Sequence, residues 1–364
     1  MKIAFDAKRA FNNLTGLGNY SRSVITSIAS VLTNEQLYLA TPKLNYTIFK
    51  PNNHNIDILQ PSMLQNSHYW RFQGINKKLN DLNIDIYHGL SNEIPYKMKT
   101  KSVVTIHDLL FLKYPSFYNL LDRKIYHIKS KLACQNADKI IATSQQTKSD
   151  IIHYFNIDSN KIKVIYQSCH SAFIHHSNNH TYQEFTEKKL KEPFILYVGS
   201  IEERKNLLFL LKAIKRITNI KLICVGRKGK YYKEVAKFIE NNKLKNKVTF
   251  LNIQDPQKLA HIYRHSRGLV YPSINEGFGI PIIEGMYSKI PVITSNQPIF
   301  KEIGGENSYY FEKENLNSLI ESINSIWTDS NERNKRIEKN LNYVQKFNEI
   351  EQAKNIIKLY QAIL

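Results

Sequence analysis

Residues 268–286 read Gly268-Leu-Val-Tyr-Pro-Ser-Ile-Asn-Glu-Gly-Phe-Gly-Ile-Pro-Ile-Ile-Glu-Gly-Met286. The run Gly268–Tyr271 has the apolar character of a short buried strand. Gly277 and Gly279 allow a tight turn and a close approach of backbone. Pro281 suits the first turn of a helix, where its missing N–H costs nothing. The stretch is therefore a strand, a turn and a helix, with the helix starting beyond the carboxyl end of the strand. The N–H groups of such a helix start have no intrahelical acceptor and favour an anion. Two carboxylates bracket the turn. Glu276 precedes it, where it would accept hydrogen bonds from hydroxyl groups. Glu284 interrupts the apolar run Ile282, Ile283, Met286 and needs a partner there, which the hydroxyls of a ribose would supply. The competing reading makes Glu276 a capping carboxylate and Glu284 half of an internal salt bridge.

The same unit recurs on both sides of this stretch. Toward the N-terminus, strands are expected at Phe194–Gly199, Lys221–Gly226 and Lys247–Leu251, with helices at Asn206–Ile217 and Pro256–Ser266. Toward the C-terminus come a helix to Ser288 and a strand at Ile290–Thr294. An earlier series has strands at Lys2–Asp6, Ile84–His88, Ser102–His107, Ile140–Thr143 and Ile162–Ile165, and a helix at Ser21–Leu32 with Val24, Ile25, Ile28, Ala29 and Leu32 at helical spacing. Strands alternating with helices predict parallel sheets covered on both faces. The fold class is thus α/β, with two doubly wound domains at 1–180 and 190–346. Ser168–Glu192 loses the periodicity and reads as the connector; His170, His175, His176 and His180 within it lack the carboxylate or thiolate set of a metal site. Two helices, 332–346 and 350–364, close the chain.

A chain of 364 residues with 42% hydrophobic content can bury two cores and is not a disordered polymer. Its three cysteines, Cys134, Cys169 and Cys224, form no C-x-x-C pair, which fits a reducing compartment and no disulfide framework. The start, Met1-Lys-Ile-Ala-Phe-Asp-Ala-Lys-Arg9, lacks the apolar core of a signal peptide, and no stretch is long and apolar enough to span a bilayer. A cytoplasmic protein is expected. The net charge of +20 calls for anionic partners. Zinc-finger spacing, an aromatic RNA-binding motif and a basic zipper are all missing, so nucleic acid is not an expected partner. Runs such as Lys97–Lys101 and Arg123-Lys124, mixed with apolar residues, fit an anionic membrane surface. A plain solvated basic surface is the alternative.

Other residues carry chemistry. Gly199-Ser-Ile-Glu-Glu-Arg-Lys-Asn206 also joins a strand to a helix. Arg204 offers a planar fork and Lys205 a point charge, and both suit a diphosphate. His107-Asp108 follows a strand at the end where α/β sheets take ligands, and the histidine there can contact a hydroxyl or shuttle a proton. Gly16-Leu-Gly18 lacks the third glycine of the dinucleotide fingerprint, with Ser21 in its place, so NAD is rejected. The glycines remain candidates for close approach to a phosphate. His261-Ile-Tyr-Arg-His265 lacks the glutamate of a zinc protease. No Asp-x-Asp is present, so no metal is expected, and the charge of a diphosphate must be met by Arg204, Lys205 and helix ends.

These residues resemble glycosyltransferase family 4, retaining enzymes of the GT-B fold, in which two Rossmann-like domains face a cleft. The resemblance runs over nearly the whole chain. It rests chiefly on Glu276-Gly-Phe-Gly-Ile-Pro-Ile-Ile-Glu284, which is similar to the family's E-x7-E motif, with support from Gly16-Leu-Gly-Asn-Tyr20, His107-Asp-Leu109, Thr143-Ser144, Arg204-Lys-Asn206 and Pro291–Ser295. It implies that Glu284 holds the donor ribose and that Glu276, with the Gly277-Phe278-Gly279 backbone, holds the transferred sugar. Arg204 and Lys205 would hold the diphosphate, and Gly16 or Gly18 would approach it from the other domain. His107 would contact the sugar near the reacting centre, and the last helix, 347–364, would return to the N-terminal domain. The implied activity is transfer of a hexose such as mannose from a GDP- or UDP-sugar donor to a glycan or lipid-linked acceptor in surface polysaccharide assembly, with no further cofactor. Two alternatives stand beside it: a non-catalytic membrane-associated partner in a glycan-assembly complex, and a sugar-nucleotide epimerase on the same fold. Met286-Tyr-Ser-Lys289 and Phe347-Asn348 depart from the family pattern, the latter where many relatives carry a Trp.

Overall fold

The computed structural model describes residues 1–51, 53–175, 192–328 and 330–364. His176 and His180 lie outside the described residues, as does most of the expected connector. The chain divides into two compact units, Met1–Ser168 with Phe347–Leu364, and Cys169–Lys346.

The first unit is built on seven parallel strands: β1 (Lys2–Asp6), β2 (Gln36–Ala40), β3 (Ile56–Leu59), β4 (Ile86–Gly89), β5 (Lys101–Ile106), β6 (Lys139–Ala142) and β7 (Ile162–Val164). Their order is β3-β2-β1-β4-β5-β6-β7. The direction of winding therefore reverses between β1 and β4, and the crevice beyond the carboxyl ends of those two strands is the place where doubly wound sheets take ligands. The residues are buried along most of β1, β4 and β5, as a sheet covered on both faces requires.

The second unit has six parallel strands: β8 (Phe194–Val198), β9 (Lys221–Val225), β10 (Val248–Leu251), β11 (Gly268–Tyr271), β12 (Val292–Ser295) and β13 (Tyr309–Phe311). They run in the order β10-β9-β8-β11-β12-β13. Here the switch falls between β8 and β11. These are the two strands whose following loops carry Arg204-Lys205 and Glu276.

One local reading is corrected. The helix expected from Ser21 begins earlier: it starts at Gly16 and runs to Val31. Asn13 folds its side chain over the start, accepting from Thr15 N at 2.8 Å and Gly18 N at 3.2 Å. A Cβ on Gly18 would lie 1.8 Å from the Asn13 carbonyl oxygen, so residue 18 must be glycine for this turn to close. Gly16 has open space around it instead.

The closing helix Glu349–Gln361 belongs to the first unit. Its Ala353, Ile356 and Tyr360 join Val24, Ile25 and Ile28 in one apolar core. Phe347 is buried edge-on to Tyr166, ring centroids 5.3 Å apart, and the Asn348 side chain caps the helix by accepting from Ile350 N and Glu351 N. The Tyr360 hydroxyl lies 2.6 Å from His88 Nδ1, and Thr105 Oγ1 lies 2.8 Å from His88 Nε2. Burial, with His107 nearby, holds His88 down to a pKa of about 3, so the ring is neutral at physiological pH. Tyr360→Phe would leave a buried imidazole nitrogen without its partner. The expected loss is about 1–3 kcal/mol of folding stability with the fold retained, read by urea denaturation; an unchanged midpoint would show that the hydrogen bond does not hold the helix.

Candidate active site

The loop after β8 begins at Gly199 and makes one tight turn over Glu203–Lys205, after which Asn206 takes a left-handed conformation at φ +57° and starts the helix Leu207–Arg216. Asparagine tolerates that conformation better than most residues. Beside β8, β11 ends at Tyr271 and feeds the loop 272–279. Gly279, at φ +107°, turns the chain into the helix Ile280–Tyr287, a backbone angle at which a side chain is strained. The two loops are tied together by backbone. Ile274 N donates to the Arg204 carbonyl at 2.9 Å, and Arg204 Nη1 donates to the Asn275 carbonyl at 2.9 Å.

Glu276 stands where they meet. Arg204 Nη1 lies 2.6 Å from its Oε2, and Lys205 Nζ lies 2.7 Å from its Oε1. Each cation thus takes one oxygen of the carboxylate. Lys205 also donates to the Tyr271 hydroxyl at 2.8 Å and stands over that ring, 5.0 Å from its centroid. Burial by itself would raise the pKa of Glu276, but Lys205 and Arg204 outweigh it and hold the carboxyl at about 2. Burial pulls Lys205 below its ordinary value in spite of Glu276. Together the three groups form a preset charge cluster with one surplus positive charge at the sheet's switch point.

Glu284 lies eight residues on, in the second turn of the helix. Its partner is Tyr263, whose hydroxyl donates to Oε2 at 2.7 Å. Tyr263 is fully buried on the helix Pro256–His265, edge-on to Phe173 with centroids 5.2 Å apart. Burial raises Glu284 to a pKa of about 7, and the Tyr263 hydrogen bond only partly offsets it. One edge of Glu284 keeps contact with solvent. Glu284 does not follow the salt-bridge alternative weighed from sequence: it pairs with a phenol rather than a cation. Phe278 is buried and Gly277 half-buried in the same turn.

The remaining candidates lie in the first unit. His107 follows β5 and is buried. Its Nε2 donates to the Leu90 carbonyl at 2.9 Å, so Nδ1 is the acceptor, with Gln167 Nε2 at 3.4 Å. Burial lowers it to about 4 although the Leu90 bond pulls the other way, so the ring is neutral near pH 7. Tyr20, on the helix that carries Gly16 and Gly18, packs edge-on to it at 4.6 Å.

Tyr263 and Tyr271 were not legible as site residues. Tyr263 sits inside the rejected His-x-x-x-His segment and reads as a core aromatic. Its only signal was the need of Glu284 for a partner. Among the described residues no group of three or more His, Cys, Asp or Glu is placed to hold a metal ion, and no helix is long and apolar enough to cross a membrane.

The sequence matches the family described as Glycosyltransferase Family 4 over residues 32–169 and that described as Glycosyl transferases group 1 over residues 178–342, together most of the chain. It is 31% identical over 224 residues to the O-antigen chain mannosyltransferase RfbU of Salmonella typhimurium, a match spanning 61% of this chain and 60% of that protein. It is 27% identical to O-antigen chain mannosyltransferase B of Escherichia coli over 91% of this chain and 92% of that one. Among solved structures, Anabaena HepE in complex with UDP-glucose shares the fold at a TM-score of 0.79 and 16% identity, covering all of both chains. Two doubly wound parallel-sheet units with these neighbours define a GT-B glycosyltransferase. The chain belongs to glycosyltransferase family 4.

The raised pKa of Glu284 has a sign that can be checked. In the unfolded chain the carboxyl ionises near 4.5, and in the folded protein near 7. Folding stability therefore falls as pH rises through that window, by at most about 3 kcal/mol, since residual solvent contact reduces the effect. Glu284→Gln should match the wild type near pH 4 and exceed its stability at pH 8, measured by thermal unfolding of the ligand-free protein. Parallel stability curves at all pH values would contradict the assigned burial cost.

Proposed function

We propose that the enzyme is a retaining hexosyltransferase that moves mannose or a similar hexose from a GDP- or UDP-sugar to a glycan or lipid-linked glycan acceptor in surface polysaccharide assembly. One observation carries this reading: Glu276, Arg204 and Lys205 meet at the switch point of the second sheet, with Glu284 on the helix that starts there. In this reading Arg204 and Lys205 hold the diphosphate, and Glu276 with the Gly277-Phe278-Gly279 backbone holds the transferred sugar. The ribose hydroxyls donate to Glu284. The names of the two mannosyltransferase relatives support the sugar, and the UDP-glucose held by HepE supports a nucleotide-sugar donor.

The acceptor hydroxyl attacks the anomeric carbon from the face that the nucleoside diphosphate leaves. The new C–O bond forms as the old one breaks, and the departing phosphate oxygen takes the hydroxyl proton. Arg204 and Lys205 stabilise the charge that grows on that phosphate. Glu276 is unsuited to be a covalent nucleophile, because two cations hold its electron pairs and its pKa is about 2. In the first unit, neutral His107 would exchange the 3.4 Å contact of its Nδ1 with Gln167 for a sugar hydroxyl, and the open space at Gly16, with Gly18 keeping the helix start closed, lets backbone approach a phosphate.

The test is a donor screen with GDP-mannose, UDP-glucose and related donors, read by release of GDP or UDP and by mass of the glycan product. Arg204→Ala should lower kcat by about 10²–10³-fold. Nucleotide-sugar affinity should rise with pH up to about 7 and level off, since ribose hydroxyls prefer the ionised Glu284, whose pKa is about 7 in the free protein; Glu284→Gln should flatten that profile. A folded protein that neither binds nor turns over any nucleotide sugar would overturn the reading, and turnover of the donor without an acceptor product would favour the epimerase.

The same reading places the protein on the inner face of an anionic membrane. The helix Leu120–Asn136 exposes Leu120, Leu121, Ile125 and Ile128 on one flank together with Lys124, and Met63 and Leu64 are fully exposed. Apolar side chains set among lysines suit insertion at anionic headgroups. Co-sedimentation should be strong with phosphatidylglycerol vesicles, weak with phosphatidylcholine alone, and reduced by salt and by Leu120→Ser with Leu121→Ser. Equal binding to both vesicle types would argue against it.

A further inference from the structure

Hydrogen bonds fix the backbone of His107. Asn92, in the left-handed region at φ +55° in the loop after β4, accepts from His107 N at 3.1 Å through its Oδ1. The hydroxyls of Thr143 and Thr147 donate to the His107 carbonyl at 2.9 and 3.2 Å. None of these bonds sets the turn of the imidazole about its own link to the chain. The ring itself meets the Leu90 carbonyl at Nε2, the Gln167 contact at Nδ1, and the ring of Tyr20, 4.6 Å away between centroids with 89° between the planes.

Tyr20 is itself anchored. It stands one turn inside the helix that begins at Gly16, is 4% exposed, and places its hydroxyl 3.1 Å from Thr105 Oγ1. The same Thr105 oxygen meets His88 Nε2, and His88 Nδ1 meets the Tyr360 hydroxyl. A chain of four polar side chains thus crosses the core of the first unit, from the closing helix through β4 and β5 to the ring that covers His107. All four are buried, and none of their polar atoms lacks a partner. Apolar side chains would fill these places without that requirement, since each buried polar group must be matched. A matched polar network in a core rigidifies it and specifies one arrangement. The arrangement it specifies here is that of the Tyr20 ring, the end of the chain that touches His107.

We propose that Tyr20 is a positioning residue for the transfer step: its anchored ring sets the orientation of the His107 imidazole and keeps water from the covered face. The part played by His107 rests on the reading above, whereas the anchoring of Tyr20 stands on the contacts alone. The Leu90 bond keeps the proton on Nε2, and Nδ1 can accept from a hydroxyl only while the ring keeps that turn and stays neutral. A half turn would put a carbon where Nδ1 now is. Arg9, His88 and Tyr20 are the titratable groups about the ring, with Asp108 next in sequence. Burial, with Arg9 assisting, holds the ring at a pKa of about 4. Water admitted in place of the Tyr20 ring would raise that value.

The experiment records long-range nitrogen–proton correlations of the histidine rings in the 15N-labelled full-length protein, with the His107 signal assigned by its loss in His107→Gln. In the wild type it should be that of a neutral ring protonated at Nε2 from pH 8 down to about 5. In Tyr20→Leu, which removes the wall, the two neutral tautomers should mix and the pKa should rise by about one unit. Tyr20→Phe keeps the wall and gives up the anchor, and should preserve the Nε2 tautomer. Release of GDP or UDP from GDP-mannose and UDP-glucose gives the second readout. In Tyr20→Leu kcat should fall about 10²-fold, the cost of a misplaced group, and activity should decline as pH drops through about 5, since a protonated Nδ1 accepts nothing. In Tyr20→Phe the loss should stay below about tenfold, the worth of one neutral hydrogen bond. Binding of GDP and UDP, which draws on Arg204, Lys205 and Glu284, should be unchanged in both variants. A His107 ring with the same tautomer and titration in folded Tyr20→Leu as in the wild type would overturn the proposal, and so would an unchanged kcat in that variant. A wild type inactive on every donor would count against the transferase reading, and the nitrogen spectra would then decide the role of Tyr20 by themselves.

Discussion

The ion pairing of Glu276 with Arg204 and Lys205 is the constraint on which the site depends. It joins two loops that leave adjacent strands at the point where the winding of the second sheet reverses. Backbone hydrogen bonds between Ile274 and Arg204, and between Arg204 and Asn275, bring these loops together. The charges then fix the side chains. A buried carboxylate without these cations would carry a heavy desolvation cost, and the cations without it would carry another. Their mutual neutralisation lets three ionised groups stay poised in a largely buried place, with one positive charge left over.

The two sheets solve one problem in parallel ways. Each is doubly wound, and each places loops from two diverging strands at its switch point. In the second unit two cations share one carboxylate. In the first, Arg71 bridges Asp6 and Glu93, and Lys129 reaches the second Glu93 oxygen. The same topological opportunity thus gathers buried charged groups at the switch point of each unit.

Much of this was legible in the sequence, because the strands that carry the site are continuous apolar runs ending in glycine, proline or polar residues. Gly268–Tyr271, Phe194–Val198 and Ile280–Tyr287 fall within a residue of their expected bounds. The convergence of Glu276 with Arg204 and Lys205 followed from placing both segments after parallel strands. What escaped was set by contacts between distant residues. The helix start at Gly16 depends on Asn13 folding over it, and local spacing does not announce that. Tyr263 looked like any core aromatic until Glu284 was found against it. Arg71 lies on a π-helical turn that no periodicity signals, 65 residues from Asp6 in sequence.

The two glutamates of the E-x7-E stretch show how position in the fold sets chemistry. Both are largely removed from water, so desolvation pushes both toward the neutral form. Glu276 meets two cations and stays ionised down to a pH of about 2. Glu284 meets one phenol and titrates near 7. Environments that drive two like groups apart in this way assign them different tasks. Glu276 is an anion whose charge holds Arg204 and Lys205 in place. Glu284 is costly to ionise while its site is empty, and hydroxyl donors arriving at it would relieve that cost. On the proposed reading that expense to the free fold is returned when a diol such as a ribose fills the place that water only partly serves.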